Sequence, residues 1–301
     1  MFRCYLKAIQ KRMVIASYIL FALTLLLTAC GGDVNETSDS GQVDVLRFGL
    51  IPADDAEEML RVYEPVKNYL EERLDMPVEL IAASDYTAGV EAMRAGHIEI
   101  AWFGPFAYLQ AASRANGEAI VVGVREDSGL STYKTVFLTH AESGIDSLED
   151  LKGRSFAFVD PASASGHLIP LSILLDSGIK PDEDFRDVIY AGTHNSVVLA
   201  VNNRTVEAGV TSDNVYQRMT EEKAFDPDDI KIIHTSEPIP GSPITVRGDL
   251  SEELKLTIQQ AFIEMPEDVA SGWGGIAYYE EVEDSEYDIL REIAKILDLD
   301  L

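Results

Sequence analysis

The sequence predicts an α/β protein of two lobes, with mainly parallel sheets, flanking helices and a hinge that the chain crosses twice. Three observations predict it. Short apolar runs alternate with amphipathic helical ones from Val45 to His234. Pro, Gly, Ser and Asp punctuate the alternation. Turn-rich stretches near 125–133 and 236–243 split it into two blocks and read as the two hinge crossings.

The first block opens with the strand Val45 to Ile51, ended by Pro52, and continues with a helix from Ala56 to Leu74 that spaces Leu60, Val66, Leu70 and Leu74 among its apolar positions. A strand over Val78 to Ala82, a helix over Ala88 to Arg94, and the strand Ile98 to Phe103 come next. Pro105 to Arg114 reads as a helix and Ala119 to Val124 as a strand. Trp102 and Phe103 close a buried strand, and core packing is the stronger expectation for both. The second block runs through strands near 134–139 and 155–160, a helix from Ser165 to about Asp176, and a strand over Asp187 to Ala191. It continues with a helix over Val197 to Asn202 and closes with strands at Val206 to Val210 and Ile230 to His234. Pro238 to Pro243 is a rigid connector, and helices near 252–264 and 287–297 return to the first lobe. The expected division is 44–130 for the first part of lobe 1, 131–237 for lobe 2, and 238–301 for the return.

The first 29 residues resemble a bacterial lipoprotein signal. Arg3, Lys7, Lys11 and Arg12 precede an uncharged apolar run from Met13 to Leu27, and Leu27-Thr28-Ala29-Cys30 has the form of a lipobox. Cys30 is then the lipidated residue, 30–43 a polar flexible tether, and the remainder extracytoplasmic and held at the membrane by that lipid. The chain's two cysteines are Cys4 and Cys30, so the body has no disulfide framework and no cysteine-based metal site.

Formal charge is −28, from 24 basic and 52 acidic residues; the first 29 hold four of the former and none of the latter, which leaves −32 on the rest. That balance excludes nucleic acid and anionic lipid surfaces as partners, since both need basic patches. Any anionic ligand must rely on short-range dipoles and hydrogen bonds, because salt confines the surface repulsion to about 8 Å.

The most informative stretch is Asp160-Pro161-Ala162-Ser163-Ala164-Ser165-Gly166-His167. It joins a strand to a helix start, where free backbone N–H groups meet small hydroxyl residues. Two readings fit those residues: an anion-binding turn, or a plain helix cap.

Ordered along the chain, Phe48-Gly49-Leu50-Ile51-Pro52, Tyr63-Glu64-Pro65, Asp85-Tyr86 and Ile98 to Pro105 lead to Ser147 to Gly153, the Ser163 turn and Gly192-Thr193-His194. Over roughly 44–300 this series resembles the phosphonate/phosphite/phosphate substrate-binding proteins of ABC transporters, which have the two-lobed type II periplasmic-binding-protein fold. The resemblance implies a monomer that captures a small phosphorus oxyanion between its lobes and works with a permease and its ATPase. It implies no cofactor, no metal and no catalysis. It also places the ligand against Tyr86, Tyr133, Ser163, Ala164, Ser165 and His194. Tyrosine and serine hydroxyls and an imidazole N–H are suitable donors for such oxygens.

Two departures bear on the ligand. Ala164 stands where the family turn usually has Thr, and Ser242 stands where an acidic residue meets an amine in binders of aminoalkyl phosphonates; Asp213 and Asn214 lie near the other acidic position. A ligand without an amine is therefore expected. Two rival functions are a same-fold module for another solute or for a sensor kinase, and a hydrolase using Ser163, His194 and Asp160. Ala162 to Gly166 lacks the Gly-x-Ser-x-Gly elbow that the hydrolase needs. The acidic cluster Glu280, Glu281, Glu283 and Asp284 has no nearby His or Cys and reads as solvated surface.

Overall fold

The computed structural model describes residues 43–53, 55–271 and 275–301; the signal, Cys30 and nearly all of the tether lie outside the described residues. Two sheets organise the chain. The first contains β1 (Leu46–Leu50), β2 (Val78–Ala82), β3 (Ile100–Trp102) and β4 (Gly117–Arg125). After β5 (Thr132–Tyr133), the second sheet takes β6 (Thr135–His140), β7 (Ser155–Phe158), β8 (Asp187–Tyr190), β9 (Ala208–Ser212) and β10 (Ile230–Thr235). The chain then passes through β11 (Ile239–Pro240) and re-enters the first sheet as β12 (Pro243–Arg247) and β13 (Ile276–Glu281). The two passages between sheets pair with each other, Ile239 opposite Tyr133 and Pro240 opposite Thr132.

The sheets are mixed rather than mainly parallel. Strand order is β13-β4-β12-β3-β1-β2 in the first and β10-β6-β9-β7-β8 in the second. Pairs made by strand–helix–strand crossovers, such as β1 with β2 and β3, and β7 with β8 and β9, are parallel. A strand entered through the hinge starts at the hinge end instead, so β12 runs antiparallel to β3 and β4, and β6 antiparallel to β9. Besides two-residue strands and four-residue helices, the sequence pattern does not show two strands and one longer helix. β12 begins at a proline of the connector, β13 ends in Glu280 and Glu281 of the acidic cluster, and the helix Asp213–Glu221 is rich in polar residues.

Capping explains the helices that begin earlier than their apolar spacing suggests. Asp85 accepts from the Ala88 amide at 2.7 Å, which starts its helix at Tyr86. Thr193 accepts from the Ser196 amide at 3.1 Å and starts the next at His194. In the first lobe, Phe48 meets Tyr63 and Phe262 edge-on at centroid distances of 5.7 and 6.1 Å, which docks the helices Ala56–Leu74 and Glu252–Ile263 on the sheet. In the second sheet Phe156 stacks on Phe185 and meets Phe158, its neighbour on β7, edge-on. Fully buried Glu99 is gripped by Arg47 and by Arg247, tying β1 and β12 to the segment before β3.

Candidate functional site

The carboxyl ends of β1, β3 and β4 face those of β7 and β9, and the amino end of β12 joins them. Crevices of this kind are where α/β sheets bind ligands. A cavity partly open to solvent lies there. Tyr86, Tyr133, Ser163, Ala164 and His194 all line it. Ser165 does not. Its hydroxyl is buried behind the wall without a hydrogen-bond partner, close enough to Tyr133 to favour the ionised phenol slightly but not in bonding geometry.

The Ser163 turn is wound more widely than an α-helix. Over Ala164–Leu168 the bonds skip five residues, with the Leu168 amide donating to Ser163 O at 3.0 Å, before the α-helix Ile169–Asp176 begins. Ser163 caps it by accepting from the Gly166 amide at 3.0 Å, and Asp160 braces it by accepting from the Ala162 amide at 2.7 Å. The amides of Ala164 and Ser165 precede the first bond of the turn, as the leading N–H groups of a helix do. Ser163 therefore caps the turn and lines the cavity at once, since a hydroxyl that accepts one bond can still donate another.

His194 has a defined tautomer. Its Nδ1 accepts from the Ser212 amide at 3.2 Å, with Thr211 Oγ1 at 3.1 Å, so the proton of the neutral ring sits on Nε2. Burial, helped by the nearby Arg218 charge, lowers its pKa to about 3 and keeps the ring neutral. Among the described residues the backbone of β9 and a threonine orient this imidazole, not the carboxylate that a Ser-His-Asp arrangement would require. Burial likewise pushes the Tyr86 and Tyr133 phenols well up, so both remain neutral donors.

The opposite wall was not foreseen in detail. Tyr63, Trp102, Gly123, Arg125, Ile276 and Tyr279 come from the first lobe. Trp102 thus lines the cavity, while Phe103 stays in the core as expected. Arg125 could have been suspected as a charge ending the apolar strand β4, but nothing in sequence brings it near Ser163. Despite the chain's −28 charge, no carboxylate appears among the described residues lining the cavity. Gly241 and Ser242 lie there where the connector re-enters the sheet.

The sequence profile described as "ABC transporter, phosphonate, periplasmic substrate-binding protein" matches residues 48–287. The chain belongs to this family. This phosphonate-binding family member is 31% identical over 243 residues to the phosphate-import protein PhnD of Mycolicibacterium smegmatis, covering 77% of this chain and 76% of that one. It is 29% identical over 248 residues to the phosphonates-binding periplasmic protein of Escherichia coli, covering 81% and 71%. Among solved structures, a binding component of a phosphonate ABC transporter from Pseudomonas aeruginosa superposes with a TM-score of 0.80 at 25% identity, over 86% of this chain and 87% of that one. The fold is the two-lobed type II periplasmic-binding architecture, and the family member is an extracytoplasmic solute-binding component of an ABC importer. No helix among the described residues is long and apolar enough to cross a membrane.

Proposed function

We propose that this protein captures a small phosphorus oxyanion without an amine (phosphate, phosphite or a simple alkylphosphonate) between its lobes and delivers it to a permease driven by an ATPase. The observation that carries the reading is the contrast between a chain of −28 charge and a cavity whose described lining has no carboxylate but gathers neutral donors. Ser163, the amides beside it, Tyr86, Tyr133 and the Nε2–H of His194 hold the oxygens; Ala164 contributes its backbone only, and Ser165 supports the turn from behind. Each charge-assisted bond in such a site contributes roughly 1.5–3 kcal/mol, enough for several together to outweigh screened surface repulsion. Lobe 1 comprises 44–130 and 238–301, lobe 2 comprises 131–237, and closure about the paired hinge strands buries the ligand. The protein acts as a monomer without catalysis, tethered outside the membrane through a lipid on Cys30.

Calorimetry with phosphate, phosphite, methylphosphonate and 2-aminoethylphosphonate tests the ligand class. Tight binding of the small anions supports it; binding of 2-aminoethylphosphonate alone overturns it. Metabolic labelling with a fatty-acid analogue, lost in Cys30→Ala, tests the anchor.

A further inference from the structure

His167 sits in the wide turn, buried behind the cavity wall and outside the cavity itself. Its ring fills the corner where β7 and β8 end. Phe158 and Tyr190 are paired in register there, and the imidazole meets both edge-on, at centroid distances of 5.2 and 5.5 Å. Nδ1 lies 3.0 Å from the Pro161 carbonyl oxygen, and Nε2 lies 3.1 Å from the Tyr190 hydroxyl. A carbonyl can only accept, so Nδ1 carries a proton. Burial lowers the pKa of the ring and keeps it neutral, so Nε2 accepts from the Tyr190 O–H. The tautomer is the opposite of that of His194.

The Nδ1 bond spans the donors of the turn. Pro161 precedes Ser163, Ala164 and Ser165 and His167 follows them, so one bond joins the two ends of the segment that presents the Ser163 hydroxyl and the leading amides. Winding of this width is rarely self-supporting, and groups that must be aimed to a fraction of an ångström need ties from outside their own ladder. Asp160 supplies one through the Ala162 amide, and Thr135 Oγ1 another by donating to Ser165 O at 3.0 Å. Neither restrains Pro161, which has no N–H by which to be held, so its carbonyl is the handle on that residue. We infer that His167 is a positioning residue for anion capture: through its Nδ1–H bond to Pro161 O it holds Ser163 and the amides of Ala164 and Ser165 in the geometry that meets the oxygens of the ligand. This rests on the proposed function, whose own failure shows separately in the test.

The test compares the unmodified protein with His167→Asn, His167→Leu and His167→Phe, by calorimetry with phosphate and methylphosphonate and by denaturant titration. Asparagine carries an amide nitrogen on Cγ, where histidine carries Nδ1, and so keeps a donor for Pro161; leucine has nearly the same shape without the donor. Affinity in His167→Asn is expected to stay within about threefold of the unmodified protein, and to fall about tenfold or more in His167→Leu and His167→Phe. Stability should follow apolar burial instead, with H167L and H167F at least as stable as H167N. That crossed order separates positioning from packing, since a role in packing alone makes affinity follow stability. Long-range proton–nitrogen NMR spectra should find His167 as the Nδ1–H tautomer beside His194 as the Nε2–H tautomer. Equal affinities in His167→Asn and His167→Leu overturn the inference alone, as does a His167 proton found on Nε2. Should His167→Leu fail to fold, His167→Phe carries the same comparison. Binding of neither anion by the unmodified protein overturns the proposed function and this inference with it.

Discussion

The wall that the second lobe contributes holds Ser163, Ala164 and His194 in elements fastened by their own hydrogen bonds, while the facing wall draws Tyr63, Trp102, Arg125 and Tyr279 from four separate elements of the first lobe. The first of these walls offers neutral donors fixed in direction, suited to oxygens of invariant geometry. Aromatic bulk dominates the other. On the proposed reading the second lobe supplies most donors for the oxygens, Tyr86 of the first lobe joins them, and the two lobes approach each other through two hinge passages.

Disturbing the fixed wall gives the largest expected effect. A Cβ on Gly166 would stand 2.3 Å from Val159 Cβ and 2.8 Å from Ser163 Oγ, inside contact distance of a packed strand end. Gly166→Ala is expected to abolish measurable anion binding and to cost about 1–3 kcal/mol of stability through overpacking. Denaturant titration and calorimetry read both. Affinity kept within about twofold would show that the turn's geometry does not matter to the ligand.

These two walls also differ in how legible they were. Ser163 and His194 stand beside glycines, hydroxyls and strand ends that announce themselves locally, and the cap residues Asp85 and Thr193 precede the helices they start. Tyr63 and Tyr279, by contrast, are 216 positions apart and meet at the cavity only because β13 pairs with β4 after the second hinge passage. That pairing was hidden by the acidic tail of β13. Trp102 alternates with core residues along β3, so period alone could not tell a cavity wall from a buried face. Apolar spacing predicts ordinary helix over the wide turn at Ala164–Leu168, because a five-residue bond offset leaves no mark in it.

Single donors come next. Ser163→Ala and His194→Ala are each expected to weaken methylphosphonate or phosphate binding by at least about tenfold, or ~1.4 kcal/mol. Unchanged affinity in both would mean that the ligand does not rest on this wall. A smaller effect is expected across the cavity. Trp102→Ala removes bulk rather than a partner for the oxygens, so methylphosphonate should weaken only about threefold while propylphosphonate gains relative to it. A large uniform loss for both ligands would instead give the aromatic wall a share in holding the phosphorus group.

The smallest change is predicted for pH, and it separates the roles of His194 in binding and in folding. Its pKa is lowered to about 3 in the folded protein, whereas an exposed histidine titrates near 6.5. The folded ring therefore stays a neutral Nε2–H donor from pH 8 down to about 5, and the ratio of affinities between the unmodified protein and His194→Gln should be flat over that range. Ionisation of the ligand itself affects both proteins alike and drops out of the ratio. Stability behaves otherwise. As pH falls below about 6.5 the unfolded chain takes up a proton that the folded ring refuses, so the histidine's stabilising share declines steadily toward pH 3. In His194→Gln that part of the acid destabilisation is absent, and the stability gap between the two proteins narrows from pH 7.5 to pH 5. A binding ratio that titrates near 6.5 would mean that His194 meets the ligand as a cation, and the wall would then owe its anion preference to charge after all.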